Sequence, residues 1–372
     1  MKNFELAIPT LGCAAVLVAA ATVALAHEGV DHSHAPADSL AVTHAVRVGE
    51  GDNTYESIPN WCQMPQGRQT LGPTHGGIVE DKEGNIYFTM DGGPSAILVY
   101  KPDGTFVRAL GDEKLTGIHG LCINDENGEQ FLYAAHLKGR QALKLKLDGT
   151  VVWAIPFEKF NESGKYQKKE QFSPTAIAVG PDGSVYVADG YGQNWVHKFD
   201  KDQKYVMSFG GQGTEPGKFK TCHGIALDKR GEKPLLLVCD RENRRLQHFD
   251  LDGKFVDIVA QNLRRPCSMS FHNGQVAVAE LEARVTILDK QNKEIAHLGD
   301  NPDKKQWANY NVPPTDWHQG IFTAPHGVSF DRHGDVYVMD WNATGRVSKF
   351  KHVADPAKQA GAPAGAPAVA SR

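Results

Sequence analysis

Three histidines, His119, His223 and His326, stand 104 and 103 residues apart, and each is followed by glycine in "IHGL", "CHGI" and "PHGV". A fourth pair lies at His75 in "THGG". Imidazole is a metal ligand, a proton carrier and a hydrogen-bond partner. Three of them converging on one point suit a zinc ion with an open fourth position, where a water or a substrate oxygen binds. The sequence holds no HExxH or comparable local zinc signature, so such a site has to be assembled by the fold from distant segments.

The spacing follows a repeat. Aligned on the His-Gly pair, the chain gives six copies: "PTHGGIVEDKEGNIYFTMD", "GIHGLCINDENGEQFLYAAH", "SPTAIAVGPDGSVYVAD", "TCHGIALDKRGEKPLLLVCD", "RPCSMSFHNGQVAVAE" and "APHGVSFDRHGDVYVMD". Each reads as two alternating strands joined by a turn. A third strand follows, as in "RRLQHFD", and usually a fourth after a "DG" turn, as in "LDGKFVDIVA". Six units of four strands predict an all-β, six-bladed β-propeller. The last copy stops after its third strand, "RVSKFKHV", and residues 45–58 are expected to supply the missing outer strand and close the ring.

In a propeller the first strand of each blade is innermost, so its head lies near the mouth of the central channel. The six occupants of that place are His75, His119, Thr175, His223, Cys267 and His326. His119, His223 and His326 fall on alternate blades and surround the axis with approximate threefold symmetry, which makes them the expected metal ligands. His75 and Cys267 are each one blade away from a member of that set and are read as further ligands or as partners of the ligands. Duplication of one structural histidine, its ring bonded to a neighbouring blade's carbonyl, would give the same recurrence. Spacing leaves both readings open.

Asp91, Asp189, Asp240 and Asp340 each end the second strand of a blade, where an aspartate bonds turn amides. His136 and Glu280 occupy that place in the other two blades. Together with Lys138, Tyr191, Arg241 and Trp341 they are expected to face the mouth and line a pocket. The segment "NPDKKQWANYNVPPTDWHQGIF", residues 301–322, is the longest break in the rhythm, and Trp307, Tyr310 and Trp317 make it an expected cover.

Composition sets the limits. A formal charge of −4 argues against nucleic acid as partner, because phosphate binding needs concentrated Lys and Arg. Residues 1–26, apolar from Leu6 and ending in "VALA", read as a signal peptide that exports the protein to the periplasm or the exterior and leaves no membrane segment after cleavage. An uncleaved anchor is the alternative, the run being about 20 residues long. A tail containing His27, His32 and His34 is expected over 27–44, the propeller over 45–353 and an Ala/Pro-rich tail over 354–372. Without Cys13, five cysteines remain with no CxxC among them, and an odd number leaves at least one unpaired or ligating. A monomer is expected.

On these motifs the chain resembles the NHL-repeat propellers and, within them, the peptidyl-α-hydroxyglycine α-amidating lyases, over most of residues 70–352 and most closely over 172–249. The resemblance implies zinc held by His119, His223 and His326, a catalytic tyrosine at Tyr191 after "DG", and a substrate-binding arginine at Arg241 in "DREN". It implies cleavage of a carbinolamide, a peptidyl-α-hydroxyglycine or a related small polar substrate, to an amide and glyoxylate. A separate monooxygenase partner would supply that substrate. Two positions depart from the family: Met90 stands in place of a second arginine, and Gly327 in place of a calcium-binding aspartate, which weakens the case for calcium. The alternative is a non-catalytic propeller that binds a protein, peptide or cell-envelope ligand, and fold alone does not choose.

Overall fold

The computed structural model describes residues 44–353; the expected signal peptide, the tail to residue 43 and the segment 354–372 lie outside them. The described residues form six antiparallel sheets, five of them with their strands in sequence order from the axis outward and the sixth completed by strands from the start of the described chain. Blades 1 to 6 take residues 74–110, 118–156, 176–210, 222–261, 266–298 and 325–353. The six innermost strands pack side by side in a closed ring. The chain is a six-bladed β-propeller.

Burial follows from the stacking of blade on blade. Second strands have a neighbouring sheet on both faces and are mostly apolar: Ile86–Met90 and Val336–Asp340 are wholly buried, the latter down to its terminal Asp340. Outer strands face water, and Phe255–Gln261 is exposed or half-buried along its length. Between blades lie aromatic cores such as Phe160, Phe172 and Phe199, each essentially inaccessible. Burying one such side chain contributes roughly 1.5–3 kcal/mol.

Blade 6 has a fifth strand. Asn53–Ile58 runs antiparallel to Arg346–Val353, with Thr54 opposite Val353 and Ile58 opposite Lys349. Arg47–Glu50 then folds back on Asn53–Ile58. The sequence pattern predicted a single strand from this segment. The turn at Gly51, which adopts φ of 53°, divides it into a hairpin.

The His-Gly pair has a local cause. In blade 2 Ile118 pairs with His136 and Gly120 with Ala135, so His119 has no partner opposite it. The same β-bulge leaves His223, Cys267 and His326 unopposed in blades 4, 5 and 6. A bulge re-aims the extra residue's side chain, here toward the axis. The glycine admits the next blade: a Cβ on Gly120, Gly224 or Gly327 would sit 2.6, 2.4 or 2.8 Å from the carbonyl oxygen of Thr175, Cys267 or Gly76.

Candidate functional site

Those three carbonyls are the ones that the histidines use. His119 Nδ1 donates to Thr175 O at 2.6 Å and His223 Nδ1 to Cys267 O at 2.8 Å, since a carbonyl only accepts. His326 Nδ1 lies 3.2 Å from both the carbonyl and the amide of Gly76. Anchoring Nδ1 to the next blade turns each Nε2 inward. His223 Nε2 and His326 Nε2 are 3.1 Å apart, and the Tyr191 hydroxyl lies 2.9 Å from His223 Nε2 and 3.3 Å from His119 Nε2. The three rings are mutually in contact, centroid to centroid 4.6–4.9 Å.

Two bare imidazole nitrogens at 3.1 Å repel unless something positive lies between them. His326 can provide a proton by accepting from Gly76 N–H at Nδ1 and donating from Nε2. A cation does the same for all three rings. Burial, and then the charge of His75 and Arg241 nearby, holds His119 and His223 well below the ordinary histidine range; burial with His75 and His223 does so for His326. Neutral imidazoles keep their lone pairs for a metal. At the bond lengths of zinc, tetrahedral ligand nitrogens stand about 3.3 Å apart. His223 and His326, 3.1 Å apart, stand at about that spacing, and the Tyr191 oxygen, 2.9 Å from His223 and 3.3 Å from His119, lies between the other two rings; two of the three nitrogens fit a zinc-sized ion as they stand, and His119 would have to draw in to join them.

His75 and Cys267 also reach the axis. Among the described residues, potential ligand atoms gather in two groups within 4.8 Å, His75–His119–His326 and His223–Cys267–His326, which share His326. The threefold set expected from spacing is not itself one of these groups: His119 falls in the first and His223 in the second, within a ring of five donors. His75 differs from the other histidines: its Nδ1 faces Asp91 Oδ1 at 3.6 Å rather than a neighbouring carbonyl, and its ring meets Trp341. The hydrogen bond to His75, with Lys138 as a further cation, holds the Asp91 carboxyl below its usual range.

Tyr191 and Arg241 meet over the histidines. The Tyr191 ring is partly open to solvent, but its hydroxyl turns inward, accepts from Arg241 Nη1 at 3.1 Å and is placed to donate to His223. Burial pushes the phenol up to about 12, against the pull of Arg241. Glu242 holds Arg241 through Nε at 2.9 Å and is itself gripped by Arg265 at 2.7 Å. The sequence reading overlooked Arg265, because it belongs to the next blade and no local pattern links it to "DREN".

The remaining residues separate into mouth and struts. Lys138 stands beside Thr116 Oγ1 at 3.4 Å, and Tyr310 packs against Trp341 with the rings tilted and their centroids 4.9 Å apart. Trp307 and Trp317 instead bond Asn301 O and Val312 O within the loop, so Tyr310 alone of the three approaches the site by way of Trp341. His136 and Glu280 do not line the pocket. His136 Nε2 donates to Thr116 O and its Nδ1 meets the Gln141 amide, while Glu280 is inaccessible and accepts from Arg264 N, Arg284 and Thr286. Asp189, Asp240 and Asp340 hold the amides of Ser173, Lys220 and Ala324 in the same way. Met90 is buried in a blade core. Beyond the histidines the innermost strands line a channel of about 460 Å³.

No protein-family model matches the chain. It is 29% identical over 206 residues to human NHL repeat-containing protein 3, covering 53% of this chain and 57% of that one. It is 38% identical over 86 residues to rat peptidylglycine alpha-amidating monooxygenase, 22% of this chain and 9% of that one. A probable peptidyl-alpha-hydroxyglycine alpha-amidating lyase of Caenorhabditis elegans is 32% identical over 78 residues, 20% of this chain and 22% of that one. Its homologues are thus NHL-repeat and amidating proteins. The chain spans about half the length of the NHL relative and less of the other two. Among solved structures, a gluconolactonase from Xanthomonas campestris superimposes with a TM-score of 0.56 at 14% identity, covering 84% and 96% of the two chains. A streptogramin B lyase gives 0.52 at 14%, covering 82% and 97%. At such identities these show the propeller fold alone.

Proposed function

We propose that the protein is an exported zinc-dependent carbon–nitrogen lyase acting on a carbinolamide, a peptidyl-α-hydroxyglycine or a related small polar molecule. One observation carries the reading: of three neutral imidazoles on alternate blades, anchored through Nδ1 to the next blade, two turn Nε2 toward a tyrosine oxygen that an arginine also meets, and the third turns Nε2 toward His223 Nε2. The local similarity to amidating proteins supports it.

His119, His223 and His326 would hold the ion, which when bound polarises a substrate hydroxyl and lowers the pKa of groups beside it. Arg241, fixed by Glu242, is placed to take a carboxylate through paired N–H donors. Tyr191 is the proton carrier. Protonated in the metal-free protein, its phenol becomes a base once a cation lowers its pKa. Its oxygen removes the hydroxyl proton as the carbon–oxygen double bond forms. The carbon–nitrogen pair departs to nitrogen, which takes up a proton, leaving an amide and an α-keto acid such as glyoxylate. The mouth residues Trp341 and Tyr310 limit water.

Calcium is not part of the proposal: at Gly327 the Gly76 carbonyl fills the place where an aspartate side chain would begin. A separate enzyme that hydroxylates the substrate, and a monomeric state, complete the reading. The test is glyoxylate release from an α-hydroxyglycine peptide by purified protein, before and after chelation and zinc restoration. Chelator-sensitive turnover is expected. Turnover equal to buffer, with folded protein, would leave a ligand-binding propeller instead.

A further inference from the structure

We propose that Cys267 is a metal ligand, its thiolate filling the fourth place on an ion at the channel head when no substrate is bound. This rests on the metal site proposed above, to which it adds a ligand of different chemistry. Cys267 occupies the bulge of blade 5, and the same irregularity that aims the histidines inward acts on it. It is 1% exposed, and its sulfur gathers with ligand nitrogens of His223 and His326 within 4.8 Å. Zinc sets nitrogen–sulfur separations of about 3.5 Å, so the group has to draw in by no more than about 1.3 Å at its widest. The Cys267 carbonyl meanwhile holds the His223 ring. One residue therefore braces a ligand and offers another.

Charge gives the reason for a thiolate. A divalent ion among neutral imidazoles, beside the Arg241 guanidinium, leaves buried positive charge unmatched. Glu242 is spent on Arg241 and Arg265, and Asp91 stands behind His75. In the metal-free protein the Cys267 thiol makes a weak bond to Arg265 O at 3.6 Å. On ligation the S–H bond breaks, sulfur keeps the electron pair and shares it with the metal, and the proton leaves to solvent. A substrate oxygen then displaces the sulfur or enters as a fifth ligand. A thiolate also favours zinc and other soft ions over magnesium, calcium or manganese.

The experiment loads metal-free full-length protein with cobalt(II) and records its absorption. An intense near-ultraviolet thiolate-to-cobalt band is expected, lost in Cys267→Ser and kept in Cys239→Ser, a buried cysteine outside the donor ring. Zinc affinity should fall by at least 10-fold, on the order of 100-fold, in Cys267→Ser. Should that variant fail to fold, X-ray absorption of the zinc-loaded wild type decides, by a sulfur scatterer at about 2.3 Å beside nitrogen at about 2.0 Å. Visible cobalt bands without the thiolate band, or nitrogen scatterers alone, would overturn the assignment and leave the histidine site standing. Failure to bind cobalt or zinc would remove the site and this ligand together.

Discussion

At the scale of single residues, the histidines combine two roles that spacing presented as alternatives. Nδ1 joins blades and Nε2 faces the axis, so alanine at His119, His223 or His326 should do two separable things. It strands a neighbouring carbonyl, costing about 1–3 kcal/mol, and it removes a metal donor. His75→Ala breaks the contact with Asp91 and the ring contacts with His119, His326 and Trp341 but strands no neighbouring carbonyl, and should retain most of the zinc. Elemental analysis and melting temperature of the four variants check this: three should lose zinc and melt lower, and the fourth should do neither to the same degree. Equal zinc in all four would reduce the histidines to fasteners.

At the scale of elements, the repeat was legible because each blade writes its hairpin in the same residues. The bulge was not, although it explains the His-Gly phrase, because the extra residue stands at the very head of its strand and the alternation beyond it runs unbroken. Nor was the commitment of His136 and Glu280 to their blades visible, since the same position holds aspartates whose role depends on Arg245 or Arg346 one strand away. Tyr191 and Arg241 were found through resemblance, Arg265 through neither route. Gly224→Ala tests the bulge directly. Its new Cβ, 2.4 Å from Cys267 O, must push away the acceptor of His223. A loss of about 1–3 kcal/mol in chemical denaturation is expected, with weaker zinc binding though no ligand has changed. Unchanged zinc affinity would separate the glycine from the site. Asp240→Ala should cost more, roughly 3–5 kcal/mol, because it leaves Arg245 buried without its carboxylate.

At the scale of the molecule, burying so many neutral imidazoles ties stability to pH. His119, His136, His197, His223 and His326 are all held below the ordinary histidine range, burial being the first cause in each, and His197 reaches about 3. Below pH 6.5 the unfolded chain binds protons that the folded one refuses, so stability is full above that value and is lost as pH falls toward the folded pKa values. Asp189 acts oppositely. Burial pushes it up to about 7, so its contribution is present below the unfolded value near 4 and lost as pH rises through 7. Asp240, also raised by burial, acts in the same sense as Asp189, and five groups outweigh two. At about 1.4 kcal/mol per pH unit for each group, the melting temperature of the metal-free protein should drop by roughly 10 °C between pH 6.5 and 5.5. Zinc should steepen the loss, because protons compete with it for Nε2. Scanning calorimetry across pH 8 to 4.5 measures it. A melting temperature that stays level from 6.5 to 5 would mean that these rings take up protons in the folded state, and that the channel head is wetter and less ready for a cation than its burial implies.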